Sequence, residues 1–360
     1  MSQDWHLLSS YAGLLFLATG AIYCGSFGSL PNPKPAPGEA QEDEDEEEEV
    51  SERMSSEDAW LFPVIGSVTL FGLYLVVKYL GPEWINYLLG WYFSLAGVAS
   101  VWKTATSFAR FVVGETQWKK FDKNSLAIKK GGIALFTTSL RTPAVALMPF
   151  ATIPSLLYSF GSTTARKSAL LTDVLAMSFC HSSLSLLKID SFKTGCILLS
   201  GLFFYDIWWV FGTEVMVKVA TTLDVPIKLL WPKSYLFSTA RGFTMLGLGD
   251  IVIPGTFVSL GLRYDYFRHQ AAGSTGSSGS FPKPYFKASL VAYTLGLVTT
   301  MVVMHSFGKA QPALLYLSPA CILSFFATAL LRGELSEAWA WSDEPPAAGA
   351  DADKAKNKSE

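Results

Sequence analysis

The segment GLFFYDIWWVFG, residues 201–212, contains one acidic residue, Asp206, in an otherwise apolar and aromatic run. A charged carboxylate at the centre of a bilayer costs about 2.5–3.5 kcal/mol or more, so a carboxyl group in such a run needs a role. Apolar runs of similar length recur along the chain, and about 20 residues is the length a helix needs to cross a bilayer. The 360 residues are 16% charged, whereas soluble domains average about 25%. The sequence therefore predicts an all-α, polytopic membrane protein.

Nine runs are predicted membrane spans. They cover residues 7–27, 60–79, 85–102, 143–158, 168–187, 194–217, 243–262, 288–307 and 312–331. The semi-polar region 108–140 is predicted to hold an interfacial helix. The first run has no Lys or Arg in residues 1–5, which favours an uncleaved anchor over a signal peptide.

The chain divides into five predicted regions. Residues 1–27 form the first span, and residues 28–59 form a disordered loop that contains the acidic run 42–49. Residues 60–187 form a bundle of helices two to five, residues 188–334 hold helices six to nine, and residues 335–360 form a disordered tail. A Gly- and Ser-rich stretch, 271–280, predicts a flexible connection.

The distribution of Lys and Arg predicts the orientation. Connections on one side of the nine spans, together with the C-terminal tail, carry 20 of the 28 basic residues, and the other side carries 8. Because cytosolic loops carry the excess of basic residues, the tail is predicted to be cytosolic and the N-terminus luminal.

Two kinds of site find little support in the residues. Cysteines occur singly in apolar segments, without the paired spacing of a zinc site or a disulfide framework, at Cys24, Cys180, Cys196 and Cys321. This spacing predicts no metal site. No cofactor and no nucleic-acid partner are predicted either. Asp173 and Glu214 lie near span ends without a partner motif, and no role is assigned to them.

A second lone acid follows in the pattern Gly247-Leu248-Gly249-Asp250. Spans six and seven are consecutive, so they are expected to pack side by side and bring Asp206 and Asp250 together. Two carboxyl groups a few Å apart share one proton, since both cannot ionise cheaply. Such a pair can activate water and protonate a leaving nitrogen, which is the chemistry of peptide hydrolysis. The residues do not assign the two roles.

Small residues and prolines surround the acids. Gly247 lies three residues before Asp250, on the same face of a predicted helix, where it permits close backbone approach or simple helix packing. Pro254 cannot donate to the Asp250 carbonyl and predicts a kink. A third pattern, Gln311-Pro312-Ala313-Leu314, opens the ninth span.

Two alternatives to a protease stay open: a carboxylate-based ion or proton pathway, and a catalytically silent scaffold for membrane-protein clients.

Together, Tyr205-Asp206, Gly247-x-Gly249-Asp250 and Pro312-Ala313-Leu314 resemble the motifs of the signal peptide peptidase and presenilin family of intramembrane aspartyl proteases. The resemblance implies a presenilin-like fold, no cofactor, and Asp206 and Asp250 as the catalytic pair. It implies that eight residues shape the site and position substrate: Tyr205, Gly247, Leu248, Gly249, Gln311, Pro312, Ala313 and Leu314.

Within the family, the short loop 218–242 and the luminal N-terminus resemble signal peptide peptidases more than presenilins. The implied substrates are remnant signal peptides and other type II membrane helices. The implied further partners are the lipid bilayer and a homo-oligomer or membrane-protein degradation machinery. The last five residues, 356–360, are similar to a Lys-x-Lys-x-x retrieval signal, which implies the endoplasmic reticulum membrane.

Overall fold

The computed structural model describes residues 2–31, 53–130, 133–160, 168–223, 225–233, 242–272, 281–308 and 311–343. The first half contains α1 (Ser2–Phe27), β1 (Arg53–Met54), α2 (Ser56–Tyr79), α3 (Pro82–Val113), α4 (Glu115–Trp118), β2 (Lys123–Lys130), β3 (Ile133–Arg141), α5 (Thr142–Phe160) and α6 (Ala169–Leu186). The second half contains β4 (Lys188–Ile189), α7 (Phe192–Phe211), α8 (Val215–Thr222), β5 (Lys228–Pro232), β6 (Phe243–Gly247), α9 (Gly249–Ala271), α10 (Pro284–Phe307), α11 (Leu314–Arg332) and α12 (Leu335–Ala340). The predicted helical fold class is confirmed.

Six of the described helices are long and apolar enough to cross a membrane: α1 from Trp5 onward, α2, α6, α7, α10 and α11. The helices α3 and α5 cover two of the other three predicted spans, and α9 covers the third from Gly249 onward. None of the three is among those six, so nine crossings remain a prediction. Large apolar side chains point outward on several helices, for example Phe16, Val68, Leu95 and Leu323. An apolar outer surface of this extent suits lipid rather than water, as expected of a multi-pass membrane protein.

Local signals set several helix ends. At the start of α2, the Ser55 side chain accepts a hydrogen bond from the Asp58 N–H, and the Asp58 carboxylate accepts one from the Ser55 N–H at 3.0 Å. This reciprocal capping box satisfies two amide donors that have no partner within the helix. The helices α10 and α11 end at Gly308 and Gly333, whose φ values of +61° and +68° are left-handed. Glycine adopts this conformation without steric cost.

The central helix is α9, which packs against α1, α6, α7, α10 and α11. Glycines let its neighbours approach closely. A Cβ atom at Gly255 would lie 2.9 Å from the Leu184 side chain, and one at Gly261 would lie 3.3 Å from the backbone of Tyr285. Since α9 begins at Gly249, this packing places Asp250 at one end of the most buried helix.

The region 108–140 does not form the predicted interfacial helix. α3 continues to Val113, α4 has four residues, and β2 and β3 then pair as an antiparallel hairpin from Lys123↔Arg141 to Lys130↔Ile133. Two strand-like runs flank Gly131 and Gly132 in the sequence, and such a pattern favours a hairpin over a helix.

The chain after residue 335 is ordered as far as Asp343, which differs from the predicted disordered tail. α12 begins at Leu335, and Ser342 forms an antiparallel bridge with Ser191. The Trp341 ring packs against Tyr264, with ring centroids 5.1 Å apart. The prediction overlooked the aromatic residues that bury this segment. The acidic run 42–49, residues 273–280 of the Gly- and Ser-rich stretch, and residues 356–360 lie outside the described residues.

Candidate active site

Asp206 lies in the last part of α7, which ends at Phe211. The predicted span reached residue 217, but the helix ends six residues earlier, so Asp206 is closer to the helix end than those bounds implied. The side chain is 3% exposed and lies on the same helical face as buried Leu202 and Trp209. Its carboxyl group therefore faces the core of the bundle.

Asp250 is the second residue of α9, in the first turn of the helix. The sequence predicted a span that began at residue 243 and placed Asp250 eight residues into it, which is wrong. Residues Phe243–Gly247 form β6 instead, and β6 pairs antiparallel with β5 from Lys228↔Gly247 to Pro232↔Phe243. Glycines at positions 247 and 249 weaken helix formation, and the strand pairing supplies the backbone hydrogen bonds that a helix would have made.

Gly247 does not share a helical face with Asp250, yet the two residues are adjacent. A Cβ atom at Gly247 would lie 3.5 Å from Asp250 Oδ2. Nothing lies within 4 Å of the corresponding position at Gly249. Leu248, between them, is buried, and its N–H donates to the Ile227 carbonyl at 3.0 Å. The Gly-Leu-Gly segment is therefore held by its leucine, contacts the Asp250 carboxyl group at Gly247 and has open space at Gly249.

The two acids lie in the same part of the bundle. α7 packs against α9, and the Asp206 carboxyl group lies near that of Asp250. Continuity of α9 through Pro254 keeps Asp250 on the central helix, while the proline cannot donate to the Asp250 carbonyl. The structure thus brings together the two acids that the sequence singled out.

The Pro-Ala-Leu segment contacts the first acid directly. The Leu314 N–H donates a hydrogen bond of 2.9 Å to Asp206 Oδ2. Leu314 is the first residue of α11, and N–H groups in a first turn have no partner within the helix. Pro312 and Ala313 are buried beside it, and Gln311 is partly buried at the start of the segment. This N–H donor was not predicted, because no side chain in the sequence signals it.

Tyr205 faces α2. A Cβ atom at Gly66 would lie 3.5 Å from the Tyr205 ring. One turn later, Trp209 Nε1 donates to Ser67 Oγ at 3.1 Å. Tyr205 therefore packs α2 against the helix that carries Asp206.

Asp173, which was assigned no role from the sequence, supports the strand pair that precedes Asp250. Its Oδ1 atom accepts a hydrogen bond of 2.7 Å from the Leu230 N–H in β5. On the other side, α1 packs against Trp231 so closely that a Cβ atom at Gly13 would overlap the indole ring. The available signal was an acid in an apolar span, but its partner is a backbone N–H 57 residues away.

Metal chemistry has no apparent centre in the described part of the chain. No group of three or more His, Cys, Asp or Glu side chains there could hold a metal ion. The chemistry available at this site is that of two carboxyl groups, one backbone N–H donor and an adjacent glycine without a side chain.

Comparison with known proteins assigns the chain to a family. The family model for signal peptide peptidase matches residues 45–345. The chain belongs to the signal peptide peptidase family. Its members include the human signal peptide peptidase, which is 35% identical over 345 residues, or 94% of this chain and 84% of the human protein.

Two further proteins that are similar to this chain are named intramembrane proteases. A probable intramembrane protease of Schizosaccharomyces pombe is 37% identical over 83% of this chain and 87% of its own length. Intramembrane protease 2 of Caenorhabditis elegans is 47% identical over 48% of this chain and 38% of its own length. The family and these names identify an intramembrane protease of the aspartic class and favour it over an ion pathway.

Proposed function

We propose that Asp206 and Asp250 are the catalytic pair of this protease, and that it cleaves type II membrane-spanning substrates such as remnant signal peptides. The observation that carries the proposal is the hydrogen bond from the Leu314 N–H to Asp206 Oδ2. It joins the Tyr-Asp and Pro-Ala-Leu patterns at one carboxyl group, and the acid of the Gly-Leu-Gly-Asp pattern lies close enough to interact with that group.

The proposed chemistry uses one ionised and one protonated carboxyl group. Two acids in a site shielded from water share one proton. The ionised carboxylate takes a proton from water, whose oxygen attacks the peptide carbonyl carbon. The protonated carboxyl group donates a hydrogen bond to the carbonyl oxygen and then transfers its proton to the leaving nitrogen.

The residues around the pair have supporting roles in this proposal. Gly247 and Gly249 leave room for a substrate backbone beside Asp250, and Leu248 anchors the segment. Gln311, Pro312 and Ala313 lead into the N–H donor of Leu314, and Tyr205 seats α2. Together they shape the site and position the substrate.

The proposal extends to location and partners. The excess of basic residues on one side favours a luminal N-terminus and a cytosolic tail, and the Lys-x-Lys-x-x pattern at residues 356–360 favours the endoplasmic reticulum. This orientation suits type II substrates. The family resemblance adds a homo-oligomer or a membrane-protein degradation machinery as partners.

The test is cleavage of a signal-peptide-like helix by the detergent-purified full chain. Asp206→Ala, Asp250→Ala and the two Asn variants should each abolish cleavage, because Ala and Asn cannot exchange the proton. Asp122→Asn, which changes an exposed acid outside the site, is the matched control and should cleave normally. Appreciable cleavage by any of the four site variants would reject the assignment.

The same purified protein tests whether hydrolysis uses two carboxyl groups. A hydroxyl-bearing mimic of the tetrahedral intermediate should inhibit strongly, since transition-state analogues bind more tightly than substrates. A profile of rate against pH should be bell-shaped, because one carboxyl group must be ionised and the other protonated. An unaffected rate in the presence of the mimic would contradict two-carboxylate hydrolysis.

A further inference from the structure

Tyr293, in the middle of α10, is a buried phenol that the proposed chemistry does not use. The side chain is completely inaccessible, and its hydroxyl has no hydrogen-bond partner among the described residues. A buried polar group without a partner costs stability, whereas phenylalanine would fill nearly the same space without that cost. The hydroxyl at this position therefore needs an explanation.

Four helices contribute groups near Tyr293 or the adjacent Thr294. The titratable groups near the Tyr293 phenol are the Asp250 carboxyl group of α9 and the thiols of Cys180 in α6 and Cys321 in α11. The fourth neighbour, α1, contacts the adjacent residue: Thr19 Oγ1 lies 3.3 Å from Thr294 Oγ1. Both thiols are buried, and a thiol is a weak hydrogen-bond acceptor. Among these groups, Asp250 is the strong acceptor.

We infer that Tyr293 is a positioning residue that donates its hydroxyl hydrogen to the ionised carboxylate of Asp250 when substrate occupies the site. This inference rests on the proposed function. Hydrogen bonds in active sites are often long or misaligned without substrate and tighten in the substrate complex. A phenol that keeps its proton forms a stronger hydrogen bond to an ionised carboxylate than to a neutral carboxyl group. Tyr293 thus favours Asp250 as the group that activates water, with Asp206 as the protonated partner.

The first test is Tyr293→Phe in the full-length detergent-purified protein. A hydrogen bond to a charged group corresponds to roughly a 10- to 100-fold change in rate, so kcat should fall by that factor. KM should change less than about twofold, because a side chain with no exposed surface does not touch substrate. The acidic limb of the pH profile should move to higher pH, by roughly one pH unit for each tenfold loss in stabilisation of the ionised Asp250 carboxylate. Thermal stability should be unchanged or higher.

Tyr285→Phe is the matched control. Tyr285 is equally buried on the same helix, eight residues away, or about 12 Å along the axis. Its hydroxyl donates to Glu334 Oε2 at 3.3 Å, so its removal should lower thermal stability and leave the pH profile in place. The two variants are therefore expected to show opposite patterns.

A second change tests the donor without removing it. Site-specific incorporation of 3-fluorotyrosine at position 293 makes the phenol a stronger donor, so the acidic limb should move to lower pH. A Tyr293→Phe enzyme with wild-type kcat and an unshifted pH profile would overturn the inference. So would a limb that shifts equally in Tyr285→Phe, or one that fluorotyrosine does not move.

The proposed function is judged by other samples. If wild-type protein cleaves and Asp250→Ala does not, the catalytic pair stands, and the Tyr293 variants then decide the inference alone. If Asp250→Ala retains cleavage, the catalytic pair fails and the inference fails with it.

Discussion

The Leu314 N–H donates a hydrogen bond of 2.9 Å to Asp206 Oδ2, which couples the start of α11 to the acid of α7 across 108 residues of sequence. The bond fixes one carboxyl oxygen, and within the described ranges of the chain no hydrogen bond is found to the other oxygen, which the proposed reaction would use. It also gives the buried Pro-Ala-Leu segment a defined contact, because the first-turn N–H of a helix has no partner within the helix.

Removing that donor should slow cleavage. Replacement of Leu314 by its α-hydroxy acid converts the N–H into an ester oxygen and keeps the side chain. We expect roughly a 10- to 100-fold loss of kcat, the range for one hydrogen bond to a charged group. The same replacement at Leu317 breaks an ordinary helical bond of 3.1 Å to the Ala313 carbonyl and is the control. Equal losses at both positions would show that helix damage, not Asp206, is responsible.

The two glycines before Asp250 should respond differently to alanine. A methyl group at Gly247 would contact Asp250 Oδ2 at 3.5 Å, whereas one at Gly249 would meet nothing within 4 Å. Gly247→Ala should shield the carboxyl oxygen and lower kcat/KM by roughly 5- to 10-fold, about the value of one hydrogen bond. Gly249→Ala should lower kcat/KM by a smaller factor, because its methyl group enters the space proposed for substrate but does not contact the carboxyl oxygen. Steady-state cleavage assays check this order, and a reversed order would contradict the geometry.

Asp173 should matter for activity although it is not part of the catalytic pair. Asp173→Ala removes the acceptor of the Leu230 N–H and leaves a partly buried donor without that acceptor. We expect a loss of about 1–3 kcal/mol in unfolding free energy and a parallel loss of activity, because β5 positions the strand before Asp250. Asp173→Asn keeps an acceptor oxygen and should behave like wild type. Identical behaviour of the two variants would contradict a role for the Leu230 bond.

The ordered segment at residues 341–343 should stabilise the bundle. Asp343 makes a 2.8 Å ion pair with Arg263, which is 3% exposed and also donates to the Ile189 carbonyl. Burial, and then repulsion from Arg263, lower the pKa of nearby Lys188, so Asp343 offsets a concentration of positive charge. Asp343→Ala should destabilise the protein by about 3 kcal/mol or more.

The exposed Ser342 provides the control for this experiment. Ser342→Ala keeps the backbone bridge to Ser191 and should leave thermal unfolding in detergent unchanged. The double variant Arg263→Met with Asp343→Leu should recover stability, since a buried ion pair replaced by apolar residues is often neutral. Failure of the double variant to recover would mean that charge compensation is not the cause.

The proposed orientation has a direct test. Asn357 belongs to the sequence Asn357-Lys358-Ser359, a sequon for glycosylation in the lumen. It should carry no glycan, and a tag after Glu360 should be reachable from the cytosol in selectively permeabilised cells. A glycan on Asn357 would reverse the orientation and, with it, the expected type II polarity of the substrates.

The amino-acid sequence alone predicted the helical membrane fold, because hydropathy is a local property and a run of about 20 apolar residues has few alternatives. It also identified Asp206 and Asp250 as candidates, because a lone acid in an apolar run is costly wherever the run packs. Tyr205 and the Pro-Ala-Leu segment followed from their resemblance to family motifs.

Only the tertiary structure decided where Asp250 sits and what holds the site. Residues Phe243–Gly247 read as the start of an apolar span, yet they form a strand because β5 supplies their hydrogen bonds. The Asp173 and Asp206 contacts likewise use backbone N–H groups, which every residue except proline carries and which no residue type marks. Apolar runs determine which segments become helices. Hydrogen bonds between distant segments determine where the helix bearing Asp250 begins, and which N–H groups donate to Asp173 and Asp206.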